Sequence, residues 1–146
     1  MKLFQIEEPE GGPTDPSAPG AAIGIDAAGP ELMVAFSVGG NAQILADREG
    51  YGGALPVPGG GAAMKRWQES FEAARTRAER SLSRPVTHAV IVITEATDAD
   101  TADRLRQAAE GAGLEVLRFA TKAELPAGPP AMAAAILAED LAPRPD

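Results

Sequence analysis

The chain has 146 residues, 13 basic against 21 acidic side chains for a net charge of −8, and no cysteine. That length suits one domain burying roughly two-thirds of its unfolded surface, and the lack of cysteine excludes disulfides, thiol nucleophiles and cysteine ligation of an iron–sulfur cluster. The acidic balance disfavours a nucleic-acid partner, whose binding rests largely on Lys and Arg displacing counterions.

No run of eighteen apolar residues occurs, and no basic segment followed by an apolar core opens the chain. A cytoplasmic protein without a membrane partner is expected. Residues 7–20 hold four prolines and three glycines with almost no large apolar side chains. Residues 1–20 therefore read as a mobile leader, 21–142 as a single domain and 143–146 as a tail. Ala22–Asp26 is a short apolar run, Leu32–Val38 a second, and Gly39-Gly40 offers a tight hairpin into a third, Ala42–Ala46, so three successive antiparallel strands are predicted. The glycine- and proline-rich stretch Gly50–Gly61 reads as loop.

From Ala62 to Leu82 the residues Met64, Trp67, Phe71, Ala74, Ala78 and Leu82 recur at three- and four-residue steps, which predicts a helix stopped by Pro85. Its charges, Lys65, Arg66, Arg75, Arg77, Arg80 and Arg84 among Glu69, Glu72 and Glu79, read as a solvated face with ion pairs. Val86–Thr94 is near-continuously aliphatic, the pattern of a central strand covered on both faces. The lone His88 near its start reads as structural, because a metal site needs several convergent ligands. Thr97 or Asp98 caps a helix over residues 99–112 that ends at Gly113, Leu114–Phe119 forms the next strand, and Pro129-Pro130 opens an alanine-rich helix to Leu141. The order β-β-β-α-β-α-β-α is that of ribonuclease-H-like domains, an α/β class that includes each core lobe of the actin and chaperone ATPases. It calls for a mixed five-stranded sheet with helices on both faces, and for Ala22–Asp26 beside Val86–Thr94.

Residues 23–35 read GIDAAGPELMVA from Gly24 onward and align without a gap on GIDLGTTNSLVA, the first phosphate hairpin of DnaK-type heat-shock chaperones. Leu3–Pro9 is similar to the LLQISEP leader of the HscA iron–sulfur assembly branch, Leu45–Gly50 to its LADHEG turn, His88–Thr94 to its GVVITVP strand, and Ala112–Arg118 to its AGLHVLR segment. The chain thus resembles a truncated, degenerate ATPase lobe of that family. The resemblance implies an actin-like fold whose phosphate chemistry is lost: Asp26 remains, but Ala28, Gly29 and Pro30 replace the Gly-Thr-Thr turn.

Pro30 removes an amide donor and Ala28 adds a side chain where phosphate needs close approach, so this hairpin is vestigial as a cofactor site. In ungapped register Lys122 stands where the family's NEPT glutamate organises a metal-bound water; with a short insertion Pro129–Ala135 is the better match, still without an acid. Lys65 of the Lys65-Arg66 pair echoes the family's catalytic lysine or is an ordinary helix-start charge. Neither the second phosphate loop, DLGGGTFD, nor the adenosine pocket is found in the sequence.

No catalytic residue, resident cofactor or metal is therefore expected, with ATP and Mg²⁺ entering only if the hairpin still works. The function implied is a non-catalytic interaction or regulatory module, a homodimer or the partner of a chaperone-type ATPase, linked to chaperone action or iron–sulfur assembly. Leu55, Val57 and the Ala131–Leu137 face are its candidate contact residues. The competing reading is a small ribonuclease-H-like nuclease with Asp26, Glu95 and Asp98 or Asp100 holding metal ions. A third is a protein retaining weak ATP binding.

Overall fold

The computed structural model describes residues 21–29, 31–45, 55–58 and 64–142. The leader 1–20, Pro30 and the tail 143–146, on which expectations were placed above, lie outside the described residues. Three antiparallel strands come first, β1 (Ala21–Asp26), β2 (Glu31–Val38) and β3 (Asn41–Ile44), followed by a two-residue β4 (Leu55–Pro56). Helix α1 (Met64–Leu82), strand β5 (Val86–Val92), helix α2 (Ala99–Gly111), strand β6 (Glu115–Ala120), a 3-10 turn (Lys122–Glu124) and helix α3 (Pro130–Leu141) complete the chain.

The sheet is mixed, with five strands in the order β3-β2-β1-β5-β6. β1 runs antiparallel to β2, with Ile25 opposite Val34, and parallel to β5, with Asp26 opposite Val92. β6 joins β5 in parallel, and β4 pairs with the start of β2 through Glu31–Pro56 and Leu32–Leu55. β4 corrects the expectation of loop throughout residues 50–61. Proline lacks an amide donor, yet here it sits in a two-residue strand, where one missing donor ends the ladder without breaking a central one.

Side-chain alternation divides the core between the two sheet faces. Ile23 and Ile25 of β1, Leu32 and Val34 of β2, and Ala89 and Ile91 of β5 pack with Phe71, Ala74 and Ala78 of α1 and Leu105, Ala108 and Ala109 of α2. Val90 and Val92 of β5 turn the other way, onto Ala134 and Ala138 of α3, while Ala35 of β2 meets Ala131 and Ala135. β5 is apolar on both faces because both are covered. One face thus carries two helices and the other carries α3.

Three local devices hold these layers. Ser83 takes a left-handed φ of 55° and donates its N–H to the Glu79 carbonyl, ending α1. Arg75 on α1 donates from Nε to the Ala112 carbonyl at 2.7 Å and pairs through Nη1 with Glu79 at 3.0 Å, and Glu79 also accepts from the Val86 N–H at 2.9 Å. One ion pair of the expected four-residue spacing therefore fastens α1 to the end of α2 and to the start of β5. Across the sheet, Gly39 and Gly40 both take positive φ, 60° and 83°, as a two-residue hairpin requires. The Glu139 carboxylate of α3 accepts from Gly39 N at 2.7 Å, Gly40 N at 3.0 Å and Ser37 Oγ at 2.8 Å.

The close seat of α3 depends on Gly24. A Cβ built there lies 2.5 Å from the Ala131 carbonyl oxygen and against the Ala135 backbone nitrogen. Among the described residues no helix is long and apolar enough to cross a membrane.

Candidate functional site

In an open α/β sheet, strands that end side by side leave a crevice beyond their carboxyl ends. β1 ends at Asp26 and β5 at Val92, and the two chains separate there: Ala27 still donates to the Val92 carbonyl at 2.9 Å and Ile93 to the Ala120 carbonyl at 2.9 Å. Between them opens a cleft of about 320 Å³ lined by Asp26, Ala28, Gly29, Ile93, Thr94, Glu95 and Lys122. Five residues singled out from three separate sequence segments, Asp26, Ala28, Gly29, Glu95 and Lys122, thus meet at one place. Lys65 does not; it is exposed in the first turn of α1 and is no part of the lining.

The cleft's chemistry follows from how its side chains are already engaged. Asp26 Oδ1 accepts from the Ala28 N–H at 2.9 Å, the short turn by which an aspartate ties up its own backbone. Thr94 and Thr97 share a hydroxyl hydrogen bond at 3.0 Å, and the Thr97 N–H donates to the Thr94 carbonyl. Lys122, Glu95 and Thr94 are exposed, so their charges and dipoles act through water and weigh little. The lining therefore pairs two carboxylates with one ammonium.

Asp98 and Asp100, the other acids of the nuclease reading, do not line the cleft. Asp98 is the N-cap of α2, accepting from the Thr101 N–H at 2.7 Å. That backbone hydrogen bond, and after it one from the Thr101 hydroxyl, hold the Asp98 carboxyl below its ordinary range, with the positive charge of Arg104 adding a little. Among the described residues no group of three or more His, Asp or Glu side chains is placed to hold a metal ion.

A second, shallower hollow lies between β5, β6 and α2, lined in part by Thr87, His88, Arg106, Glu110 and Glu115. His88 is buried, its Nδ1 2.7 Å from Thr87 Oγ1 and its Nε2 3.8 Å from Glu115 Oε1. Arg106 lies 5.1 Å over the Phe119 ring. These contacts fix strand and helix positions, in keeping with a structural His88.

Of the expected contact residues, the inward alanines of α3 need correction. Val57 is partly buried against the main core, and Ala131, Ala134 and Ala135 are wholly covered by the sheet. Gly24 and Ala35 leave the room into which those alanines fit. Of Leu55 only the backbone pairing is described. The exposed residues of α3 are Ile136, Asp140 and Leu141, with Ile136 39% and Leu141 43% exposed, while Met132 and Leu137 are half-buried against the sheet-side clusters. Met33, on the same side of the sheet, is 38% exposed. No protein-family model matches the chain, and no curated protein matches it.

Proposed function

We propose that the chain is a non-catalytic protein-interaction domain on a ribonuclease-H-like frame, of the kind that forms an actin-like ATPase lobe. In this reading it descends from DnaK-type chaperones and acts beside a chaperone or iron–sulfur assembly partner. The frame is supported by three antiparallel strands at one side of the sheet, two parallel strands at the other, and helices on both faces.

The observation that carries the interaction reading is α3. Its alanines already fill the sheet side, yet two of its three exposed positions, Ile136 and Leu141, are also large and apolar, Asp140 being the third. With Met33, these two leave three large apolar side chains exposed on the α3 side of the sheet, and exposed apolar surface of this kind is where protein contacts form. The cleft supports the non-catalytic part: phosphoryl chemistry needs amides turned toward phosphate and a carboxylate free to organise a metal-bound water. Here the Ala28 amide is turned onto Asp26 rather than left free for phosphate, and Lys122 lines the same cleft.

Calorimetric titration with MgATP is expected to give no binding, and a dissociation constant below about 0.1 mM, worth roughly 5 kcal/mol, would overturn the loss of nucleotide function. Light scattering over a concentration series and affinity capture from cytoplasmic extract test the interaction itself. Capture by the parent chain that fails with Ile136→Asp supports it; a monomer that retains nothing at high concentration refutes it.

A further inference from the structure

We propose that the outer side of α1 is a docking surface for an acidic segment of a partner protein, gripped by Arg66, Arg77, Arg80 and Arg84. It lies on the opposite face of the sheet from α3 and needs no part of the contact proposed there. Residues 64–84 carry six basic against three acidic side chains, in a chain whose net charge is −8. The sequence pattern calls for ion pairs along this helix, yet Arg75–Glu79 is the one Lys or Arg ion pair among the described residues. Lys65, Arg66, Arg80 and Arg84 are exposed and Arg77 is half-buried, each without a carboxylate partner among those residues.

Helix stability does not account for these charges. The first turn of α1 has no acid, and Lys65 and Arg66 stand there against the positive end of the helix dipole; Arg80 alone is in the last turn, where the dipole favours a cation. Steps of eleven and three residues put Arg66, Arg77 and Arg80 within about 60° around the helix and roughly 21 Å along it, and Arg84 follows just beyond Leu82. A guanidinium grips a carboxylate through two parallel hydrogen bonds, and arginine clusters are a recurring means of recognising acidic motifs. The stripe suits carboxylates better than a phosphate backbone. Glu69 and Glu72 are exposed on the N-terminal half of the same helix, and with the net charge they oppose an unbroken run of phosphates. A protein segment can set a neutral or basic residue opposite each of them.

The probe is a fluorescein-labelled polyglutamate peptide of about 16 residues, long enough to follow the stripe even as a helix. At low salt its anisotropy should rise on titration with the full chain, and its affinity should fall steeply as salt is added. The triple variant Arg66→Ala, Arg80→Ala, Arg84→Ala, changed only at exposed positions, should keep the parent's circular dichroism and bind at least about tenfold more weakly. In the parent, the side-chain ¹⁵Nε shifts of Arg66, Arg77, Arg80 and Arg84 should move with the peptide while those of the exposed Arg104 and Arg118 stay in place. No binding, binding unchanged in the triple variant, or shifts centred on Arg104 or Arg118 overturns the proposal. So does an oligouridylate of equal charge that binds as tightly, which would assign the stripe to phosphate. Ile136→Asp is expected to leave peptide binding intact. A partner captured through α3 without peptide binding sinks this inference and leaves the interaction reading of α3 standing; peptide binding through the stripe with nothing captured through α3 does the reverse.

Discussion

At the scale of single residues, Glu139 holds more of the fold than its place on an outer helix suggests. Its carboxylate accepts three hydrogen bonds, two of them from the hairpin amides of Gly39 and Gly40. Those amides are exposed and rehydrate when the carboxylate is removed, so Glu139→Ala should cost about 1–2 kcal/mol, less than three buried charged bonds would. The check is a lower urea midpoint at unchanged slope. Asp98 gives a pH signature instead. Because its carboxyl sits below the ordinary aspartate value in the folded chain, its contribution to α2 is fully present above that ordinary value. It is lost as pH falls through the lowered folded value. Relative to the intrinsic rate, which itself falls as the solution is acidified, the protection of the amides of residues 99–102 should drop across that acid window, and Asp98→Ala should remove that drop.

At the scale of elements, among the described glycines the seat of α3 over Gly24 of β1 has the closest backbone approach. Any side chain at Gly24 meets backbone atoms of Ala131, Ala134 and Ala135, which cannot turn aside as a flexible side chain could. Gly24→Ala should therefore lift α3 from the sheet at a cost of about 3 kcal/mol, lowering the melting temperature by about 6–12 °C. A melt within a degree of the parent would show that the helix relaxes more freely than this packing implies. On the other face, α1 packs through large side chains instead, Trp67 and Phe71 having ring centroids 5.8 Å apart.

At the scale of the whole molecule, charge and topology together bear on nucleic acid. The net charge of −8 opposes binding to a phosphate backbone, and of the acids proposed for two-metal hydrolysis Asp26 and Glu95 share the cleft while Asp98 and Asp100 do not line it, Asp98 being occupied at the start of α2. Supercoiled plasmid incubated with Mg²⁺ or Mn²⁺ should stay intact. Nicking that disappears with Asp26→Asn would restore the nuclease reading.

Local pattern by itself determined most elements. Val86–Val92 is legible as a strand because seven residues covered on both faces leave almost no polar position, and α1 because Phe71, Ala74 and Ala78 fall on one helical stripe. The Gly39-Gly40 hairpin is legible from turn chemistry alone. The cleft was legible only as separate residues: Asp26, Glu95 and Lys122 come from distant segments, and the parallel placement of β1 and β5 is what gathers them. Only the tertiary structure decided that Leu55–Pro56 pairs with β2, that Glu139 reaches the hairpin a hundred residues away, and that the alanines of α3 face the sheet while Ile136 faces outward. The reason is physical: α3 is apolar around most of its circumference, so its period selects no inward face, and the choice falls to the space left above Gly24 and Ala35 by strands far off in the chain.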